Sequence, residues 1–162
     1  MTIDDVLAAD YDYDANGNRL SKWTPSGTEA GTYDDQDRML TYSGSSFTYT
    51  RNGELATRTD GAVTTSFHYD VFGILLQIDP PGAWVIDYVV DARNRRIGKK
   101  VNGAWEKKLL WQGQLAPAAE LTGTNAVLSR FVYATRANVP DFMRRTGETF
   151  RILTDHLGSP GS

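Results

Sequence analysis

The chain has 162 residues, a formal net charge of -3 and no cysteine. Its 40% hydrophobic and 23% charged residues describe a globular chain long enough to bury a core, and exclude a disordered one. The charge balance excludes an electrostatic footprint for nucleic acid or an anionic membrane, and the missing thiols exclude disulfides, thiolate metal sites and a cysteine nucleophile.

Residues 1–10 read as a lead-in. Their best local pattern is Ile3–Ala9, with acids in its first turn, and it predicts a short helix. The segment has no basic flank and no long apolar stretch, so it does not read as a signal peptide. No apolar run in the chain approaches the ~18 residues of a membrane helix, so no membrane span is expected.

From residue 11 to residue 160 the sequence repeats. The first copy is Tyr13-Asp14-Ala15-Asn16-Gly17-Asn18-Arg19-Leu20, and a weaker one is Tyr33-Asp34-Asp35-Gln36-Asp37-Arg38-Met39-Leu40. Tyr49-Thr50-Arg51-Asn52-Gly53-Glu54-Leu55 and Tyr69-Asp70-Val71-Phe72-Gly73-Ile74-Leu75 follow, then Val90-Asp91-Ala92-Arg93-Asn94-Arg95-Arg96-Ile97. Lead positions 13, 33, 49, 69 and 90 lie 16 to 21 residues apart, and the series continues in decayed form through Trp111, Tyr133 and Thr154. Each copy predicts a turn. Asp caps its first position, Asn tolerates the third, and Gly accepts positive φ at the exit, so Gly17, Gly53 and Gly73 are expected in equivalent turns.

A second series of turn signals falls between these copies, at Ser43-Gly44-Ser45, Asp60-Gly61, Pro80-Pro81-Gly82, Asn102-Gly103, Gly123-Thr124-Asn125 and Thr146-Gly147. A turn about every 8–12 residues is the spacing of consecutive hairpins. Between turns the period is two, with Tyr11/Tyr13, Phe47/Tyr49, Phe67/Tyr69, Leu109/Trp111, Phe131/Tyr133 and Phe150/Ile152 on one face. The expected fold is all-β: antiparallel hairpins in a curved or spiralling strip, one face buried and one wet. Residues 161–162 are set apart as a possible expression scar.

Few residues invite a chemical reading. Asp155, His156 and Ser159 contain the three types of a hydrolytic triad. Neighbours on a strand point to opposite faces, however, so Asp155 cannot easily orient His156, and a turn built around Gly158 is expected instead. Asp79-Pro80-Pro81-Gly82 falls where a hairpin turn is due. The acids around Asp12 and Asp34 lack the order and closing Glu of a calcium loop, so no metal or cofactor is implied. The run Arg93, Arg95, Arg96, Lys99, Lys100 reads as a solvated hairpin that discourages edge pairing. The Tyr and Trp ladder fits a packed face, with a sugar-stacking surface as the alternative.

The copies resemble the YD repeat, whose core is Tyr-Asp-x-x-Gly-x-Leu. Towards the C-terminus, Phe131-Val132-Tyr133, Asn138-Val139-Pro140-Asp141-Phe142-Met143 and Thr154-Asp155-His156-Leu157-Gly158-Ser159-Pro160 resemble the Rhs repeat-associated core in order and spacing. The resemblance covers nearly the whole chain. It implies a β-strip that spirals into a hollow shell, similar to the cocoons of bacterial Tc toxins and of Rhs effectors of type VI secretion. It also implies a bacterial, secreted or surface-delivered parent protein. The expected role is a structural, non-enzymatic wall segment, with a carbohydrate-binding or adhesive β module as the alternative. The repeat residues Tyr13, Asp14, Gly17, Leu20, Tyr33, Asp34, Tyr49, Gly53, Leu55, Tyr69, Asp70, Gly73, Tyr133, Asp155, His156 and Gly158 would then be structural. Expected partners are the remaining repeats of the parent chain and an enclosed toxin domain, with self-association through sheet edges.

Overall fold

A computed structural model describes residues 2–3, 6–82 and 84–155, with residues 2, 3, 6 and 7 described by backbone alone. Every regular element among the described residues is a β-strand. β1 (Thr2–Ile3) pairs antiparallel with β2 (Val6–Leu7), Thr2 opposite Leu7 and Ile3 opposite Val6. This corrects the helix expected over Ile3–Ala9. A seven-residue helix has too few hydrogen bonds to offset its nucleation, and the β-branched Ile3 and Val6 favour an extended backbone.

The chain divides into two compact units, residues 1–68 with 79–82, and residues 69–78 with 83–162. In the first, β3 (Asp10–Tyr13), β4 (Arg19–Thr24), β5 (Gly27–Tyr33), β6 (Met39–Tyr42), β7 (Ser45–Tyr49), β8 (Leu55–Asp60) and β9 (Val63–Tyr69) each pair antiparallel with the next. The hairpins arise because turn residues recur faster than any helix could extend, and the runs between them alternate.

The polar face of this unit is a ladder of hydroxyls. Register places Thr32 opposite Thr41, Thr41 opposite Ser46, Ser46 opposite Thr59 and Thr59 opposite Thr64. Oγ1 atoms meet at 2.7 Å between Thr32 and Thr41 and at 2.9 Å between Thr59 and Thr64. Thr48 and Thr57 form a neighbouring rung at 2.6 Å. Such cross-strand pairs specify register, because a one-residue slip would send every hydroxyl to the apolar face.

The second unit contains β10 (Leu75–Asp79), β11 (Ile86–Val90), β12 (Arg96–Val101), β13 (Ala104–Gln112), β14 (Ala116–Leu121), β15 (Val127–Val132), β16 (Phe142–Arg145) and β17 (Glu148–Arg151). These strands too pair in sequence order, all antiparallel.

Neither unit closes a dry core. Among the described apolar residues only Ala9, Ala119 and Leu121 are buried. Phe47, Tyr49, Phe67, Tyr88 and Trp111 are half-buried, whereas Tyr13 is 54% exposed and Trp84 48%. The expectation of a buried face is therefore corrected. The alternation is present, but a single-layer ribbon covers its apolar side chains only with their lateral neighbours, and a second layer is needed to exclude water.

Candidate functional site

The distinctive local structure is the repeat turn. At position 14 the Asp14 amide donates to Asn18 O at 3.0 Å, and the Gly17 amide donates back to Asp14 O at 3.2 Å. The same pair of backbone bonds closes the turns that begin at Asp34, Thr50, Asp70, Asp91 and Thr122. The side chain at the first position completes the geometry. Asp14 Oδ1 accepts from the amides of Asn16 (2.9 Å) and Asn18 (2.8 Å). Asp34, Asp70 and Asp91 accept in the same way from the amides two and four residues on. In the third copy Thr50 Oγ1 substitutes, accepting from Asn52 and Glu54. A short side chain that ends in an oxygen acceptor is what this turn requires, and Asp or Thr can supply it.

The fourth turn position has positive φ in every copy: +89° at Gly17, +97° at Gly53 and +78° at Gly73. Asp37 and Asn94, both at +60°, stand in for glycine in the weaker copies, and Asn125 at +70° does so in the turn after Leu121. Asp and Asn tolerate this region because a short polar side chain can bond locally. A register shift immediately precedes the lead residue in each copy where the strand pair is described, between Asp12 and Tyr13, Thr32 and Tyr33, Thr48 and Tyr49, and Val89 and Val90. This bulge turns the lead ring off the regular pleat.

The lead ring then reaches the preceding copy. Tyr33 Oη donates to Arg19 O at 3.1 Å, and Tyr49 Oη donates to Met39 O at 2.7 Å. In the second unit Trp111 Nε1 donates to Arg96 O at 3.0 Å and Tyr133 Oη to Pro117 O at 2.9 Å. In all four cases the acceptor lies six residues after the preceding lead position. Trp111 and Tyr133 thus act as lead residues although the motif around them has decayed. The tether explains why the lead is Tyr or Trp: each combines a broad apolar ring with a polar tip.

Two arginines hold a role that the sequence did not mark. Arg38 and Arg95 sit five positions after their leads and bridge the turn acid, with Arg38–Asp34 and Arg95–Asp91 both at 2.6 Å. Each guanidinium also lies over the next lead ring, Arg38 at 5.0 Å from Tyr49 and Arg95 at 6.0 Å from Trp111. Asp-x-x-x-Arg was the available signal. Adjacent turns are also joined directly: Asn16 and Asn18 donate to Asp37 Oδ1 at 2.8 and 2.6 Å, and Arg95 donates to Gly113 O at 2.6 Å. The Arg95 hydrogen bonds, against a smaller burial penalty, hold the Asp91 carboxyl down at about 2. Asp34 is lowered for the same reason, and Asp14 chiefly by its bond from Asn18.

The repeat leucines Leu20, Leu55 and Leu75 are half-buried at or near the starts of β4, β8 and β10. The Trp105 ring is occupied: Lys100 Nζ lies 4.6 Å and Lys108 Nζ 4.5 Å from its centroid, and it packs on Gly98. Asp155 is exposed, while His156, Gly158 and Ser159 lie outside the described residues. Among the described residues no group of three or more His, Asp or Glu side chains converges on a metal-sized site. No helix among them is long and apolar enough to cross a membrane.

Capped turn, bulge and aromatic tether, repeated along a ribbon of hairpins, define a YD-repeat, Rhs-type strip. The sequence profile of the Teneurin YD-shell family matches residues 1–161, and the chain belongs to that family. No curated protein sequence matches significantly. Among solved structures, a TcdB2-TccC3-TEV crystal structure is similar with a TM-score of 0.54 at 11% identity, covering 94% of this chain and 11% of that one. A Photorhabdus luminescens Tc holotoxin pore is similar with a TM-score of 0.49 at 13% identity, covering 94% and 11%. The chain thus spans about a ninth of the length of these structures, and at such identities the likeness concerns fold alone.

Proposed function

We propose that this chain is a stretch of wall in a shell-forming YD-repeat protein, and that its role is structural. The observation that carries this reading is a hairpin ribbon, in the YD-shell family, whose apolar side chains remain half-exposed. A ribbon of this kind is stable when further copies or a facing wall cover it. The repeat residues from Tyr13 to Tyr133 act as the joints of that wall: turn acids set the hairpins, and lead rings fasten each copy to the one before. The shell in turn encloses a toxic polypeptide, as the Tc toxin likenesses suggest by fold. Electron cryomicroscopy of the full parent chain tests the reading. A hollow particle with this segment in its wall is expected. A solid particle, or this segment standing off as a separate domain, would refute it.

A further inference from the structure

We propose that one face of β15–β17 binds an acidic polypeptide segment interrupted by apolar residues. Register places Arg130 directly opposite Arg144, and Phe142 directly opposite Val132 on one side and Arg151 on the other. Arg144 and Phe142 are two residues apart on β16 and so share a face. That face therefore carries Arg130, Arg144 and Arg151 with Val132 and Phe142 among them, and all five are exposed.

Like charges directly opposite one another destabilise a sheet. Three cations elsewhere in this unit are paired: Arg95 with Asp91, Lys99 with Glu106 and Lys107 with Glu120. Among the described residues Arg130, Arg144 and Arg151 make no ion pair. The one acid on these strands, Glu148, opposes Arg145 on the other face. An anionic occupant would relieve the repulsion, and guanidinium forks match carboxylates in planar geometry.

The occupant is polypeptide rather than nucleic acid on two grounds. Val132 and Phe142, 40% and 39% exposed, offer apolar contacts between the cations. Arg144 and Phe142 repeat along β16 at about 6.6 Å, the same-face spacing of an extended peptide. A groove beside the arginines, lined by Val127, Leu128, Arg130, Arg144, Thr146 and Gly147, has a volume of about 250 Å³. That is below the range of small-molecule pockets and suits a single side chain. The inference is independent of the shell reading.

The test is fluorescence anisotropy with the intact chain and a labelled octapeptide that alternates Glu with Phe and Leu. Controls are the same peptide with Gln for Glu and a single-stranded oligonucleotide of matched charge. Saturable binding of the acidic peptide is expected, weakening as salt rises. Arg130→Glu with Arg144→Glu should weaken it more than ~10-fold, since two charge-assisted contacts are lost. Arg144→Glu alone turns a like-charge pair into an opposite pair, so it should weaken binding without lowering thermal stability. Arg130→Gln with Arg144→Gln keeps hydrogen-bonding capacity and gives the same loss if the double reversal does not fold. No saturable binding, equal binding of the Gln peptide, tighter binding of the oligonucleotide, or unchanged binding by the variants would each overturn the proposal.

Discussion

Gly98→Ala is the sharpest test of how the second unit is packed. Gly98 is buried in β12 opposite Lys108, and its backbone is not in the positive-φ region, so alanine brings no conformational strain. The cost is steric. A Cβ at Gly98 would overlap Cζ3 of Trp105 and stand 3.1 Å from Lys107 O. Trp105 is also hemmed in from the other direction, since a Cβ on Gly123 would lie 3.0 Å from Trp105 Cβ. Overpacking of this kind costs ~1–3 kcal/mol. Replacing glycine recovers ~0.4–1 kcal/mol from the unfolded state, so a net loss of about 1–2 kcal/mol is expected. For a chain of this size that lowers Tm by roughly 2–8 °C. Thermal melts of Gly98→Ala, Trp105→Leu and the double variant measure it. The alanine penalty should largely vanish in the Trp105→Leu background. A neutral Gly98→Ala, or the same penalty with and without the indole, would refute the stacking argument.

Other outcomes follow from the turns and edges. Gly53→Val should cost on the order of 1 kcal/mol or more in denaturant melts, because a β-branched residue resists φ of +97°. Tyr49→Phe should lose about 1 kcal/mol by removing the donor to Met39 O, while leaving the ring that Arg38 covers. The folded-state pKa values of Asp91 and Asp141 lie near 2, below the usual 3.8, so their contribution is present above about pH 4 and lost as pH falls towards 2. Asp91→Asn should flatten that part of the stability–pH curve, and an unchanged curve would contradict it. The Tyr11 and Tyr13 amides on β3 donate to Asp10 Oδ1 (3.1 Å) and Asp12 Oδ1 (3.0 Å), taking up backbone donors that an added strand would use. Asp10→Ala with Asp12→Ala should therefore raise self-association in concentration-dependent light scattering.

Much of this protein is local in origin. An Asp or Thr followed three residues later by Gly, Asn or Asp closes a turn through bonds within five residues, so the repeat was legible at positions 13, 33, 49, 69 and 90. Two-residue alternation between turns predicted strands for the same reason, because both patterns act between near neighbours. Where local signals were weak, the expectation failed: in place of a helix over Ile3–Ala9, Thr2–Ile3 pairs with Val6–Leu7, since β-branched pairing outweighs a seven-residue helix. The turn after Leu121 used Thr122 and Asn125 rather than the full motif, and only its hydrogen bonds reveal its kinship. The tethers of Tyr33, Tyr49, Trp111 and Tyr133 join residues 10 to 16 positions apart, and their acceptors are backbone carbonyls, which every residue carries. No side-chain pattern marks such an acceptor. The opposition of Arg130 and Arg144 likewise depends on register across a loop of nine residues, from Tyr133 to Asp141. Burial was decided by the tertiary structure alone, because alternation specifies which face is apolar, whereas exclusion of water depends on what lies against it.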